Sequence, residues 1–90
     1  MQQVHLLISG LVQGVGYRQF VRSMARKNYV TGWVKNLSNG QVEAVLQGRE
    51  QDIKKVITAC EKGPVIAEVK DVAIEWEEGK TIFKDFVIEH

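Results

Sequence analysis

Residues 4–25 read VHLLISGLVQGVGYRQFVRSMA, and the spacing of the apolar residues changes partway along. Val4, Leu6 and Ile8 alternate with His5, Leu7 and Ser9, the two-residue period of a strand with one face on a core. From Tyr17 the interval becomes helical: Tyr17, Phe20, Val21, Met24 and Ala25 fall at i, i+3, i+4, i+7 and i+8, on one face. The glycine-rich stretch GLVQGVGYR, residues 10–18, is therefore a strand-to-helix turn. It places Arg18 in the first helical turn, where the macrodipole and the unpaired backbone N–H groups already supply partial positive charge. A cation there is mildly unfavourable unless an anion joins it.

The helix is expected to end near Asn28, a residue that tolerates the left-handed conformation common just past a helix. Val30 to Asn36 and Gly40 to Gln47 read as two further strands, joined by LSNG, in which Asn39-Gly40 would supply the positive φ angles of a tight hairpin. Ile53, Val56, Ile57 and Cys60 repeat the helical stripe, and Gly63-Pro64 stops that helix. Val69, Val72, Ile74 and Trp76 mark a fourth strand, and EEGK leads to a weakly alternating last segment, Thr81 to Ile88. The order is β-α-β-β-α-β with one extra strand. With one apolar side on each helix, it predicts an α+β, ferredoxin-like sandwich: an antiparallel sheet of four to five strands with two helices on one face, all in one domain, residues 1–90.

Composition bounds the function. Ninety residues bury about two-thirds of the unfolded chain's surface, with a stability margin of only a few kcal/mol. Twelve Lys+Arg against eleven Asp+Glu, a net charge of +1, do not mark a polyanion binder. No basic segment precedes Val4–Ile8, which is too short for a signal sequence or a membrane span, so a cytoplasmic location is expected, without membrane contact. The single cysteine, Cys60, excludes an internal disulfide or a thiolate metal cluster and reads as core filling.

Neither nucleotide motif fits the glycine turn: Gln19 stands where the third glycine of the dinucleotide fingerprint belongs, and no G-K-[ST] follows. Gly14 and Gly16 could still let successive N–H groups converge on one small anion such as phosphate, with Arg18 adding a fork of donors. The alternative is a tight turn with a solvated arginine. Arg22 and Arg26 continue the row at i+4 and i+8 and read as an outer, solvated face. Asn36, closing a strand before the hairpin, is by position a turn former or a site residue. Gly32 permits close backbone approach or marks a bulge, and Trp33 reads as packing.

GLVQGVGYR resembles the acylphosphatase signature G-x-V-Q-G-V-x-[FY]-R, and GWVKNLSNGQVEAVLQG, residues 32–48, resembles the family's second signature. GPVIAEV, residues 63–69, is similar to its G-P-x-x-A-x-V connection. The resemblance implies a metal-free, cofactor-free hydrolase of carboxyl-phosphate anhydrides such as acetyl phosphate, carbamoyl phosphate and 1,3-bisphosphoglycerate. Gln13, Gly14, Val15, Gly16 and Tyr17 would cradle the phosphate with their backbone N–H groups, Arg18 would bind it, and Asn36 would orient the attacking water. Phosphate or sulfate would be a product-like ligand. Leu11 stands where relatives are often basic, Tyr17 where phenylalanine is commoner, and Glu89-His90 lacks the aromatic or basic ending many show. His5 and His90 are expected to be bystanders, and the chain a monomer. An RNA-recognition domain would share the element order, but His5, Leu7, Glu43 and Val45, the outward positions of the relevant strands, include no aromatic, so no nucleic-acid partner is expected. A regulatory or protein-interaction domain that kept a phosphate pocket without turnover is the other alternative.

Overall fold

The computed structural model describes the whole chain, Met1 to His90. β1 (Gln2–Leu11) leads into α1 (Tyr17–Lys27), followed by β2 (Thr31–Asn36), β3 (Val42–Gly48), α2 (Glu50–Lys62), β4 (Glu68–Glu77) and β5 (Phe86–Glu89). The strands form one sheet in the order β4-β1-β3-β2-β5. Because β3 runs antiparallel to both β1 and β2, those two are parallel to each other and α1 is the crossover between them. In the same way α2 joins the parallel pair β3 and β4. Two interleaved β-α-β units with both helices packed into one core are the α+β ferredoxin-like fold that the element order predicts.

The alternation in β1 sets the core. Val4, Leu6 and Ile8 are fully buried and stand opposite Leu46, Ala44 and Val42 of β3. Tyr17, Val21 and Ala25 of α1 and Ile53, Val56, Ile57 and Cys60 of α2 close over them. Each large side chain buried this way stabilises the fold by about 1.5–3 kcal/mol relative to exposure. β4 is the less covered edge: its Ile74 and Trp76 remain 41% exposed.

The last strand departs from expectation. β5 is confined to Phe86–Glu89 and pairs parallel with β2, so the sheet is mixed rather than wholly antiparallel. β4 and β5 lie on opposite edges, four strand spacings or about 19 Å apart. The connection between Glu77 and Phe86 can span at most about 30 Å, enough to cross the sheet but not to wander far from it. Two buried glutamines hold it. Gln47 donates from Nε2 to the Thr81 carbonyl and to Gln3 Oε1, and its own Oε1 accepts from Phe83 N–H. At the far end the Asp85 carbonyl accepts from Gly32 N–H, and its carboxylate takes a bidentate contact from Arg26. Phe86 N–H, followed by Arg26, holds that carboxyl below its ordinary range. Arg26 is exposed, as the sequence suggested, and also pairs with the residue that precedes β5.

Two turns are built differently from their sequence reading. In the β2–β3 hairpin only Gly40 has a positive φ; Asn39 instead accepts Gln41 N–H on its side chain. At the end of α1, Asn28 has φ −105°, and the left-handed residue is Tyr29, at φ 60°. Asn28 Nδ2 donates to the Met24 carbonyl, satisfying a helix-end acceptor with its side chain.

Gly32 resolves to the close-approach alternative. It lies in β2 at φ 134°, and a Cβ there would stand 1.9 Å from the Val45 carbonyl oxygen of β3. Backbone must move to admit any side chain. We expect Gly32→Ala to destabilise the protein by about 2–3 kcal/mol or more in urea unfolding, well beyond the entropy gained by replacing glycine; an unchanged midpoint would mean that the β2–β3 spacing is not the constraint.

Candidate active site

The segment between β1 and α1 is held from both sides. Gln13 donates from Nε2 to the carbonyls of Leu37 and Gln41, at 2.7 and 2.8 Å, which ties the glycine turn to the β2–β3 hairpin and so to Asn36 at the end of β2. Val15 packs against the core from between Gly14 and Gly16, which take left-handed φ values of 74° and 78°. Alternating left-handed glycines with an inward valine turn the polar edge of the loop outward.

The start of α1 is bare. Gly16 caps it without any side-chain hydrogen bond, and no acidic residue stands in its first turn. No backbone N–H of residues 13–19 donates to another protein group. Gly14, Gly16, Tyr17, Arg18 and Gln19 of this stretch line a cavity of about 590 Å³, together with Val12, Arg22, Asn36, Ile88 and His90. No Asp or Glu side chain lines it. Of the seven residues singled out from the sequence, Gly14, Gly16, Tyr17, Arg18 and Asn36 meet here. Gln13 and Val15 do not line the cavity with the others, because the Gln13 side chain turns to the hairpin and the Val15 side chain to the core.

Arg18, Arg22 and Asn36 are each short of a partner in the cavity. Arg18 is half-buried, and its sole side-chain contact is Nη1 at 3.4 Å from His90 Nδ1. The Asn36 amide oxygen Oδ1 is buried with no hydrogen bond, a condition that costs about 1–3 kcal/mol until a donor reaches it. Arg22, read from the sequence as solvated, lines the cavity half-buried and forms no ion pair. His90 is a second correction: it forms part of the cavity wall, where the sequence suggested a bystander. Its position depends on the parallel pairing of β5, for which no local signal exists. Gln19 beside Arg18 was missed for a simpler reason, being a polar residue on a helix. His5 does stand apart, at 2.7 Å from Glu43 on the helix-free face. That face carries an aromatic after all, Trp33 from β2, with Lys35 Nζ 5.3 Å from its ring centroid.

Neither Cys60 nor Tyr17 is a candidate nucleophile. Burial pushes the Cys60 thiol up to about 12, so it stays protonated inside the core. Burial, with Cys60 next to it, raises the Tyr17 hydroxyl far above its ordinary range, and that hydroxyl donates to the Cys60 carbonyl at 2.7 Å. No group of three or more His, Cys, Asp or Glu side chains is placed to hold a metal ion. The cavity offers two arginines, backbone amide donors, the amide side chains of Gln19 and Asn36 and the His90 imidazole, which together can bind an oxyanion and position a neutral molecule beside it.

A family model described as acylphosphatase matches residues 4–88. An acylphosphatase of Pyrobaculum arsenaticum is 48% identical over 89 residues, covering 98% of this chain and 94% of its own length. One of Moorella thermoacetica is 44% identical over 84 residues, covering 91% of this chain and 90% of its own. The crystal structure of acylphosphatase from Bacillus subtilis superimposes with a TM-score of 0.97 at 32% identity, over 100% of both chains.

The Tyr17–Cys60 hydrogen bond can be isolated. Tyr17→Phe keeps the buried ring and leaves the Cys60 carbonyl unpaired, so it should lower stability in urea by about 1–2 kcal/mol with an unchanged m value; no loss would show that the hydroxyl is not what joins the two helices.

Proposed function

The chain belongs to the acylphosphatase family and is a hydrolase acting on acylphosphates, and we propose that Arg18, the turn amides and Asn36 divide the work between them. Arg18 and the backbone N–H groups of Gln13, Gly14, Val15, Gly16 and Tyr17 bind the phosphoryl oxygens. Asn36 holds the attacking water. The observation that carries this reading is the convergence, in one cavity without Asp or Glu, of Arg18, a helix start whose N–H groups have no protein partner, and an Asn36 oxygen without a donor. It also accounts for the arginine in the first turn: a bound dianion reverses the unfavourable field of the helix terminus.

The chemistry asks little more of the protein. Water oxygen forms a bond to phosphorus as the bond from phosphorus to the acyl oxygen breaks. The acyl group leaves as a carboxylate, and the protons of the water pass to phosphate and solvent. A carboxylate is a weak base, so no general acid is needed. Asn36 cannot take a proton at neutral pH, so its part is positional: its amide accepts from the water and sets it in line. The substrate's own phosphoryl oxygens are the proton acceptor. Arg18 and the turn amides stabilise charge on the equatorial oxygens as the phosphoryl group becomes metaphosphate-like. This scheme requires no metal or other cofactor. We infer that residues 1–90 act as one domain, as a cytoplasmic monomer without nucleic-acid or membrane partners, on acetyl phosphate, carbamoyl phosphate or 1,3-bisphosphoglycerate.

The test is release of acetate and phosphate from acetyl phosphate in the presence of EDTA. Arg18→Ala should lose on the order of 10²–10³ in kcat and most of the phosphate affinity. Asn36→Ala should lower kcat while inorganic phosphate still inhibits with the wild-type constant. Full turnover by Asn36→Ala would sink the water-orienting role, and turnover that disappears with EDTA would sink the metal-free scheme.

A further inference from the structure

That reading uses one arginine of the cavity and leaves Arg22 without a task, and the inference that follows rests on it. Arg22 stands one turn after Arg18 on α1, and at this spacing Cβ atoms are about 5–6 Å apart on the same helix face. Two like charges so placed repel unless a counter-ion intervenes. The protein supplies no direct ion-pair partner for Arg22. Arg22 has no ion pair or side-chain hydrogen bond, and no Asp or Glu lines the cavity. Asp85 feels the Arg22 charge, but both of its oxygens are taken by Arg26 and one also by Phe86 N–H. Glu89 of β5 alternates onto the opposite face of the sheet, in register with Lys35. What surrounds Arg22 in the cavity is Arg18 and Gln19 on α1 and Ile88 and His90 at the end of β5.

The phosphoryl group is placed by features at the turn: Gly14, Gly16, the first N–H groups of α1 and Asn36. The acyl part of a substrate so bound must leave along the cavity, and Arg22 lies one helical turn beyond the arginine that holds the phosphate. We propose that Arg22 is a specificity-determining residue which recognises a second anionic group on the acyl chain. The preferred substrates are then acylphosphates of acids that carry another negative charge, rather than those of simple monocarboxylic acids. Ile88 gives the intervening carbons an apolar wall, and no Asp or Glu side chain of the lining opposes the second anion.

The experiment compares the monophosphate of fumaric acid with crotonyl phosphate. These differ in a terminal carboxylate against a methyl group, and the trans double bond prevents the carboxylate from attacking its own acyl group. The wild type should favour the fumaryl compound by roughly tenfold in kcat/KM, mainly through KM, and the ratio should fall as salt is added. Arg22→Gln should bring the ratio close to one, and Arg22→Lys should restore part of it. Equal losses on both substrates in Arg22→Gln would overturn the proposal and assign Arg22 to the phosphoryl group instead. A wild-type ratio of one with good turnover of crotonyl phosphate would overturn it while leaving the proposed function standing. Failure of the folded wild type to hydrolyse either compound would overturn both.

Discussion

The burial of Tyr17 at the first position of α1 is the constraint on which the rest of the site depends. Its side chain is 1% exposed, among the largest in the core, and its hydroxyl ends on the Cys60 carbonyl of α2. A helix with one residue pinned in this way has no rotational freedom left. Val21 and Ala25 fall beneath Tyr17 on the core side, and Arg18 is carried about 100° round the axis to the cavity. The same placement fixes the chain just before the helix. The last residue of β1 and the first of α1 are both committed, so the five intervening residues must turn sharply, which they do with left-handed backbone at Gly14 and Gly16. The bare helix start and its unpaired N–H groups are thus a consequence of how α1 is seated in the core.

A second constraint comes from the far end of the chain. Having placed β4 on one edge, the protein reaches the opposite edge by a short connection that the Gln3–Gln47 pair and Asp85 hold against the sheet. The gain is a wall for the cavity. β5 runs parallel to β2, and its inward residues Phe86 and Ile88 alternate toward α1, so His90 arrives beside Arg18. Arg26 ties the start of this strand, and Arg18 meets its end. One row of arginines on α1 therefore spans the strand: Arg26 is satisfied by the protein, Arg18 is proposed for phosphate, and Arg22 lies between them.

Much of this was legible in the sequence because it is local. The change of period between Ile8 and Tyr17, the stripe in α2 and the Gly63-Pro64 stop each depend on residues a few positions apart, and all appear where expected. Arg18 and the glycines beside it raised the question of an anion for the same reason. What was not legible depends on contacts made across the fold. Arg22 and Arg26 look alike along the helix and differ because Asp85, which lies 59 residues from Arg26, pairs with one of them. Gln13 belongs to a recognisable signature, yet nothing local says that its side chain leaves the cavity to grip the hairpin. The weak alternation from Thr81 to Ile88 could not give the direction of β5, since only four residues form the strand and the rest of the segment is committed to the crossing.

The distribution of charge explains how an almost neutral chain can hold a cationic cavity. Lys+Arg exceed Asp+Glu by a single charge, so long-range attraction of a phosphorylated substrate by the whole protein is weak. The carboxylates are instead kept elsewhere. Glu43 is engaged by His5 and Lys35 on the helix-free face, Glu50 and Asp52 serve the first turn of α2, and β4 carries Glu68, Asp71, Glu75 and Glu77 along the far edge. Asp85, close enough to feel Arg22, is occupied by Arg26. Specific pairing thus does locally what an excess of basic residues would do globally. The potential at the cavity is set by arginines whose nearby competitors have been removed, and it acts over about the 8–10 Å that physiological salt allows. A small ligand needs no more than that once it has entered, and the same segregation leaves the protein without the broad basic surface that would attract polyanions.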